Sequence, residues 1–342
     1  MARIGLMVLL GLLPLTARPQ QPAVEASLVT TPPVAAPAEL TLAEIKPANF
    51  AYVAATRRDR VGRVMAPVFI NDVGPFAFLV DTGASSSVVG PRVAARLKLA
   101  PAAGRTKLLR GITGSERVPT VSISSLTAGQ IELDARDLPM VEPRVFADAD
   151  GIFGVDAFSR GCLFVNFAEK RVSILETRCP RVSEQWEVLR VEMRFGGLAV
   201  VPARIGKVKV HAIIDTGAER SLGNRALLSA TGLEKQIQDP DTATVVSAAT
   251  SQLVPGNILK TPSFRMGSVA ITNMRIVFGE FEVFQMWEVD DEPAIVLGMD
   301  VLGTTAAMML DFTRKELCIL PNITGDMVPM RKRGPATRIP RD

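Results

Sequence analysis

Asp81-Thr82-Gly83 and Asp215-Thr216-Gly217 are one tripeptide written twice, in the contexts FAFLVDTGAS and HAIIDTGAE. Each closes an apolar run and each is followed by Ala. The likeness continues downstream, where Gly151 through Phe158 is echoed by Ile295 through Leu302 as two apolar residues, then Gly, x, Asp, x, apolar. A third echo pairs Leu163 through Phe167 and Arg171 through Leu175 with Met308 through Phe312 and Glu316 through Leu320. The separations are 134 residues for the tripeptide, 144 for the Gly-x-Asp segment and 145 for the last echo. An offset that grows once and then holds describes two copies of one unit that differ by loop insertions. Whatever the chain folds into must therefore seat two similar units, each presenting an aspartate.

Within each copy the pattern is one of short strands. Met65 to Ile70 and Phe76 to Val80 flank the turn signal Asn71-Asp72-Val73-Gly74-Pro75, so a hairpin delivers Asp81. A brief helix is expected after Gly90-Pro91, where Pro at the first position sacrifices no hydrogen bond. Extended runs on either side of Gly111-Ile112-Thr113-Gly114 read as a hairpin able to fold over a cleft. The second copy repeats the order: a hairpin from Leu198 to Ile214, a short helix near Asn224 to Ala230, and a second flap-like segment from Thr244 to Pro255. Phe264 to Phe278 reads as a further hairpin, and Gly279 to Pro293 holds the extra length of this copy. The expected fold is all-β, mainly strands with a few short helices, in two homologous lobes related by a pseudo-twofold axis.

An aspartate on a sharp turn can project into a cleft, and Gly83 and Gly217 allow close backbone approach there. Thr82 and Thr216 each offer a hydroxyl that can reach across to the other copy. Two facing carboxylates cannot both ionise cheaply, so they share one proton and titrate as a pair. The charged member takes a proton from water while the protonated member polarises a carbonyl. That combination hydrolyses a peptide bond without a covalent intermediate, a metal or a cofactor.

Composition removes the main competitors. The chain has one histidine, His211, on the strand that leads to Asp215, so a His-built zinc site is excluded; a Ser-His-Asp arrangement lacks its Gly-x-Ser-x-Gly elbow. No phosphate-binding loop or dinucleotide fingerprint is present, and no nucleic-acid partner is expected.

With these motifs the chain resembles the retropepsin-like aspartic proteases, in particular two-copy bacterial relatives that carry both halves on one chain. The resemblance covers roughly Val64 to Leu320. It implies that Asp81 and Asp215 are catalytic, supported by Thr82, Gly83, Ser85, Thr216 and Gly217. It implies a flap at Gly111, Ile112, Thr113 and Gly114, more loosely a second at Ser247 to Ser251, closing on a polypeptide in extended conformation. Ser85 stands where the family's hydroxyl can bond the catalytic carboxylate. Glu219 takes that place in the second copy, where some viral members use an acidic residue to contact substrate backbone; an extra carboxylate there would raise the pKa of the pair. Val155 and Met299 replace the Arg of viral members, and neither flap holds the tyrosine of pepsin.

The chain's ends complete the expected organisation. Residues 1–17, with Arg3 and the apolar stretch Ile4 to Leu15, read as a signal peptide, giving a periplasmic or secreted protein of a bacterium; an uncleaved membrane anchor is the alternative. Residues 18–46 form an Ala/Pro-rich tether, 47–180 the N-terminal lobe, 185–322 the C-terminal lobe and 323–342 a basic tail, either solvated or adhering to an anionic surface. Cys162 and Cys179 flank a hairpin and can pair in an oxidising compartment, whereas Cys318 reads as a small core residue. The short connector between copies favours a monomer whose lobes pair within the chain over a homodimer. A non-catalytic peptide-binding protein with the same cleft is the competing function.

Overall fold

The computed structural model describes residues 63–101, 103–129, 131–142 and 148–322, together with the backbone of 39–40, 52–55, 57–58 and 327–329. The expected signal peptide, most of the tether and most of the tail lie outside the described residues.

Strands dominate, and the two copies fold alike. The first opens on the hairpin Val64–Ile70 and Val73–Val80, turned by Asn71 and Asp72 at φ 50° and 62°. Two consecutive left-handed residues make the turn whose twist matches its flanking strands, and Asn and Asp tolerate that region best. The second copy's hairpin is Leu198–Ile205 with Val208–Ile214. Its helix Arg225–Thr231 follows Asn224, whose side chain accepts from Leu227 N–H at 2.9 Å, and ends on Gly232 at φ 67°. A polar cap at one end and a left-handed glycine at the other stop the helix at both sides.

The two copies are fused through a sheet. The closing hairpin of the first copy, Cys162–Asn166 with Arg171–Leu175, lies beside that of the second, Ala307–Asp311 with Glu316–Leu320. Cys162–Asn166 pairs antiparallel with Ala307–Asp311, and Phe164 sits opposite Met309. Those two residues are equivalents in the repeat, so the pseudo-twofold axis passes between them. Tyr52–Ala55 and Glu187–Arg190 extend the sheet to six strands among the described residues. One hydrophobic core, including Phe78, Phe153, Leu163, Ile213, Leu297 and Leu310, runs through both copies. Cys162 and Cys179 form a disulfide against this sheet, and Cys318 is buried within it.

Three segments depart from the expected organisation. Glu39–Leu40, inside the stretch read as tether, pairs parallel with Arg181–Val182 of the connector. Met327–Pro329, inside the tail, adds an edge strand beside Val269–Ile271. The extra length of the second copy contains a short helix, Glu282–Met286, whose Val283 and Phe284 are buried. The expected hairpin from Phe264 to Phe278 is realised as Phe264–Met266 with Val269–Ile271, and Arg275–Gly279 follows as a third strand.

Candidate active site

Each aspartate is delivered by the second strand of its opening hairpin. That strand runs parallel to the segment preceding the Gly-x-Asp motif: Val80 lies beside Phe153, and Ile214 beside Leu297. Asp81 N–H donates to Phe153 O at 3.1 Å, and Asp215 N–H donates to Leu297 O at 3.1 Å. The glycines that follow pass hard against the aspartate loops. A Cβ on Gly154 would stand 2.6 Å from the Ser86 carbonyl carbon, and one on Gly298 would stand 2.7 Å from that of Arg220. Val155 and Met299 then donate to Ala84 O and Ala218 O at 2.8 and 2.9 Å. The sequence repeat thus encodes a repeated three-dimensional clamp on each aspartate loop.

The clamp has a polar half that the sequence did not assign. Ser87 Oγ donates to Asp156 at 2.8 Å and accepts from Gly154 N–H at 3.1 Å. Ser221 Oγ donates to Asp300 at 2.8 Å and accepts from Gly298 N–H at 3.0 Å. Both serines are fully buried. Burial raises the pKa of Asp156 and Asp300, and the serine hydrogen bonds oppose that rise. The signal was present as the Asp of each Gly-x-Asp echo and a Ser six residues after each catalytic candidate. Only the fold shows that they meet.

At the junction of the copies the two tripeptides interlock. Thr82 Oγ1 donates to Ile214 O at 2.8 Å and accepts from Thr216 N–H at 3.1 Å. Thr216 Oγ1 donates to Val80 O at 2.7 Å and accepts from Thr82 N–H at 3.1 Å. These four bonds are buried, and each crosses from one copy to the other. The glycines cross as well: a Cβ on Gly83 would collide with the Asp215 carboxyl group, and one on Gly217 with that of Asp81. The two carboxyl groups hydrogen-bond to each other.

The pair is electrostatically unequal. Burial pushes both aspartates above the ordinary carboxylate range, Asp81 well above it, and the neighbouring Asp215 charge raises Asp81 further. Asp215 accepts backbone N–H bonds from Gly217 at 2.8 Å and Ala218 at 3.0 Å, whereas Asp81 accepts one, from Gly83 at 2.8 Å. Amides that point at a carboxylate favour its charged form. Two amides against one make Asp215 the better-stabilised anion of the pair. The buried Arg63, which donates from Nη1 to Gly217 O at 3.2 Å, lowers the pKa of both. Sequence reasoning passed over Arg63. Its counterpart in the second copy is the buried Leu198, and a cation standing where the repeat has a core leucine was the available sign.

Two expectations are corrected. Ser85 is exposed, and the protein groups that bond Asp81 are Gly83 N–H and Asp215. Ser85 instead faces the second copy, where a Cβ on Gly196 would lie 3.5 Å from its own. Glu219 is likewise exposed and is not among the groups that raise either aspartate. The inequality expected from these two side chains arises from the backbone amide of Ala218 and from burial.

The segment expected as the first flap is the hairpin Thr106–Gly111 with Gly114–Ala128, and Ile112 and Thr113 form its tip. The second is Ala243–Ser247 with Leu253–Lys260. The tips meet: Thr113 Oγ1 and Thr250 Oγ1 share a buried hydrogen bond of 2.7 Å, and Glu116 accepts from Ser251 N–H at 2.9 Å. The unforeseen helix supports the first flap, since Ser115 Oγ donates to Glu282 at 2.7 Å and Ile112 O accepts from Val283 N–H at 3.5 Å. At that helix's end Trp287 stacks on Phe195, with centroids 4.8 Å apart. Phe195 belongs to the turn that faces Ser85, so an aromatic wall spans from the first aspartate loop to the flap support.

A family model described as aspartyl protease matches residues 66–157 and again residues 201–301, one match for each copy and together more than half of the chain. The chain belongs to the aspartyl protease family. Its two matched regions fit the retropepsin-like arrangement of two lobes, and both contain an Asp-Thr-Gly loop with its Gly-x-Asp clamp. No curated relative matches the chain.

Proposed function

We propose that the protein is an aspartic endopeptidase in which Asp81 and Asp215, one from each lobe, activate a water molecule against the carbonyl of an extended polypeptide. The observation that carries this reading is the hydrogen-bonded carboxyl pair, buried at the lobe junction and cross-braced by Thr82 and Thr216. Asp215, stabilised as the anion by two amides, removes a proton from water as its oxygen attacks the carbonyl carbon. Asp81, held protonated, passes its proton to the carbonyl oxygen, giving a neutral tetrahedral diol. Collapse of the diol returns a proton to the leaving nitrogen. Threonine bracing keeps the two carboxyl groups in register, which supplies the positioning that such a step needs.

The flaps would fold over the substrate, with Gly111 to Gly114 against its backbone and the Phe195–Trp287 wall beside its side chains. The test is incubation of the purified chain with a mixed peptide library at several pH values, with and without a statine-type inhibitor. Inhibitable cleavage in the parent, lost in both Asp81→Asn and Asp215→Asn, is the expected result. Peptide retained without cleavage at any pH would replace the enzyme by a peptide-binding protein.

The proposed site of action is outside the cytoplasm. The charged start and short apolar core of residues 1–17 support export, as does the Cys162–Cys179 disulfide, a bond that persists in oxidising compartments. No helix among the described residues is long and apolar enough to cross a membrane. N-terminal sequencing of protein recovered from the periplasm or medium should begin near Arg18; recovery of the full-length chain in the cytosol would overturn export.

A further inference from the structure

On the second lobe, away from the aspartate pair, the strands Leu198–Ile205, Val208–Ile214 and Phe264–Met266 border a recess of about 700 Å³. Their register aligns three cations. Lys209 lies directly opposite Arg204, and Arg204 lies directly opposite Arg265. At the usual spacing between strands the row covers about 10 Å of one sheet face. Like charges directly opposed across strands repel. Among the described residues none of the three forms an ion pair with a carboxylate; Arg204 donates to Lys207 O, and the recess's own acid, Glu292, is paired with His211 at 3.1 Å.

The fold itself does not ask for this row. In the first copy Pro67 faces Ala77 as Pro202 faces His211, and Phe69 faces Thr127 as Arg204 faces Arg265. Pro75 stands as far before Asp81 as Lys209 stands before Asp215. The corresponding strands of the first copy, which carry an irregularity between Val68 and Ile70, are thus built with no charge at any of these places. The cations are an addition to one copy, carried in spite of their mutual repulsion.

We propose that this recess binds an acidic polypeptide segment. Arg forks and a Lys ammonium in a row match successive carboxylates. A volume near 700 Å³ is many times the roughly 30 Å³ share of a water molecule, so a bare inorganic anion would leave most of it unfilled. Pro202 and Pro293 supply apolar lining, which suits the methylene groups of Glu side chains. The recess is lined by no Phe, Tyr or Trp on which a nucleic-acid base could stack, its one imidazole, His211, being held by Glu292, and a bilayer surface cannot enter a concavity.

The test is fluorescence anisotropy of a labelled Glu-rich peptide titrated with the full chain at low and at physiological salt. The comparison arms are the Gln-for-Glu peptide, inorganic phosphate, a single-stranded oligonucleotide and anionic vesicles. Saturable binding of the acidic peptide is expected, weakened by salt and weakened about tenfold or more in Arg204→Ala/Lys209→Ala/Arg265→Ala. Binding should be unchanged in Asp81→Asn and in a variant with Arg331, Lys332 and Arg333 replaced by Gln. All three recess cations are exposed, so the triple variant should melt like the parent; if it does not, Arg265→Gln alone is read, with about threefold weakening expected. The proposal is overturned by absence of saturable binding, by equal affinity in the recess variants, by loss confined to the tail variant, or by phosphate, oligonucleotide or vesicles competing as well as the acidic peptide.

Discussion

Gly83 of the first copy lies so close to Asp215 of the second that a methyl group on Gly83 would occupy the space of the Asp215 carboxyl group. Gly217 bears the same relation to Asp81. Each glycine is therefore the floor against which the opposite aspartate is set. Gly83→Ala must displace either the loop or the carboxylate, and both routes separate the pair. Peptidase activity should fall at least about a hundredfold, since a displacement of about 1 Å has that effect on aligned catalytic groups. A Gly83→Ala variant that cleaves like the parent would show that the carboxyl pair is not the reacting centre.

Thr82→Val keeps the volume of the side chain but removes the donor to Ile214 O and the acceptor for Thr216 N–H. Both of those groups are buried, and a buried polar group left unsatisfied costs about 1–3 kcal/mol. Denaturant unfolding should show a loss of about 2–5 kcal/mol for Thr82→Val and a much smaller one for Thr82→Ser, which restores the hydroxyl. Equal stability of the Val and Ser variants would mean that the cross-brace contributes packing alone.

Ionisation of Asp81 is opposed in the fold by burial and by the Asp215 charge. Its folded pKa lies above its unfolded one, so the protonated form stabilises the protein. That contribution is fully present below the ordinary carboxylate range and is lost as pH rises through the raised value. Asp81→Asn cannot ionise and escapes the loss. The melting temperature of the variant, relative to the parent, should therefore climb as pH rises from 4 towards 8. A constant difference across that range would place the strained charge elsewhere.

How far this was legible in the sequence follows from where each contact lies. The strand and turn pattern could be read because hairpin chemistry is local: Asn71-Asp72 and Asn224 act on neighbours a few residues away. The aspartate pair could be read because identity of two tripeptides implies equivalence under a twofold axis. Arg63, Ser87 and Ser221 act on partners far away in the chain, so the signs they carry, visible only when the two copies are aligned, do not say what they touch. Ser85 was given a bond to Asp81 by its position after the tripeptide, and Glu219 an effect on the pair's pKa, but both side chains are exposed and the groups that act on the aspartates are others. The helix Glu282–Met286 lay inside what read as surplus length, since five residues are too few to show helical periodicity.

Ser221→Ala should act on stability and on activity together. It leaves Gly298 N–H without its acceptor and takes one donor from the half-buried Asp300. The expected loss is about 1–3 kcal/mol in chemical denaturation. Because Gly298 clamps the loop behind Asp215, kcat should fall more than KM rises. Ser87→Ala should do the same through Gly154 and Asp156. Activity retained in full by either destabilised variant would separate the clamp from catalysis.

Arg63 offers the sharpest separation of electrostatics from architecture. Its charge favours ionisation of both aspartates, against the burial that opposes it. Catalysis requires one proton on the pair, so activity is bounded at low pH by protonation of the second carboxylate and at high pH by loss of the shared proton. Removing the cation raises both titrations. In Arg63→Leu, which copies the residue that the second lobe carries at this place, both limbs of the kcat/KM profile should move to higher pH. Arg63→Lys, which keeps the charge and loses the guanidinium fork, should leave the limbs near their original positions while lowering the maximum. A profile for Arg63→Leu that drops without shifting would assign Arg63 to holding the Gly217 carbonyl rather than to setting the proton affinity of the pair.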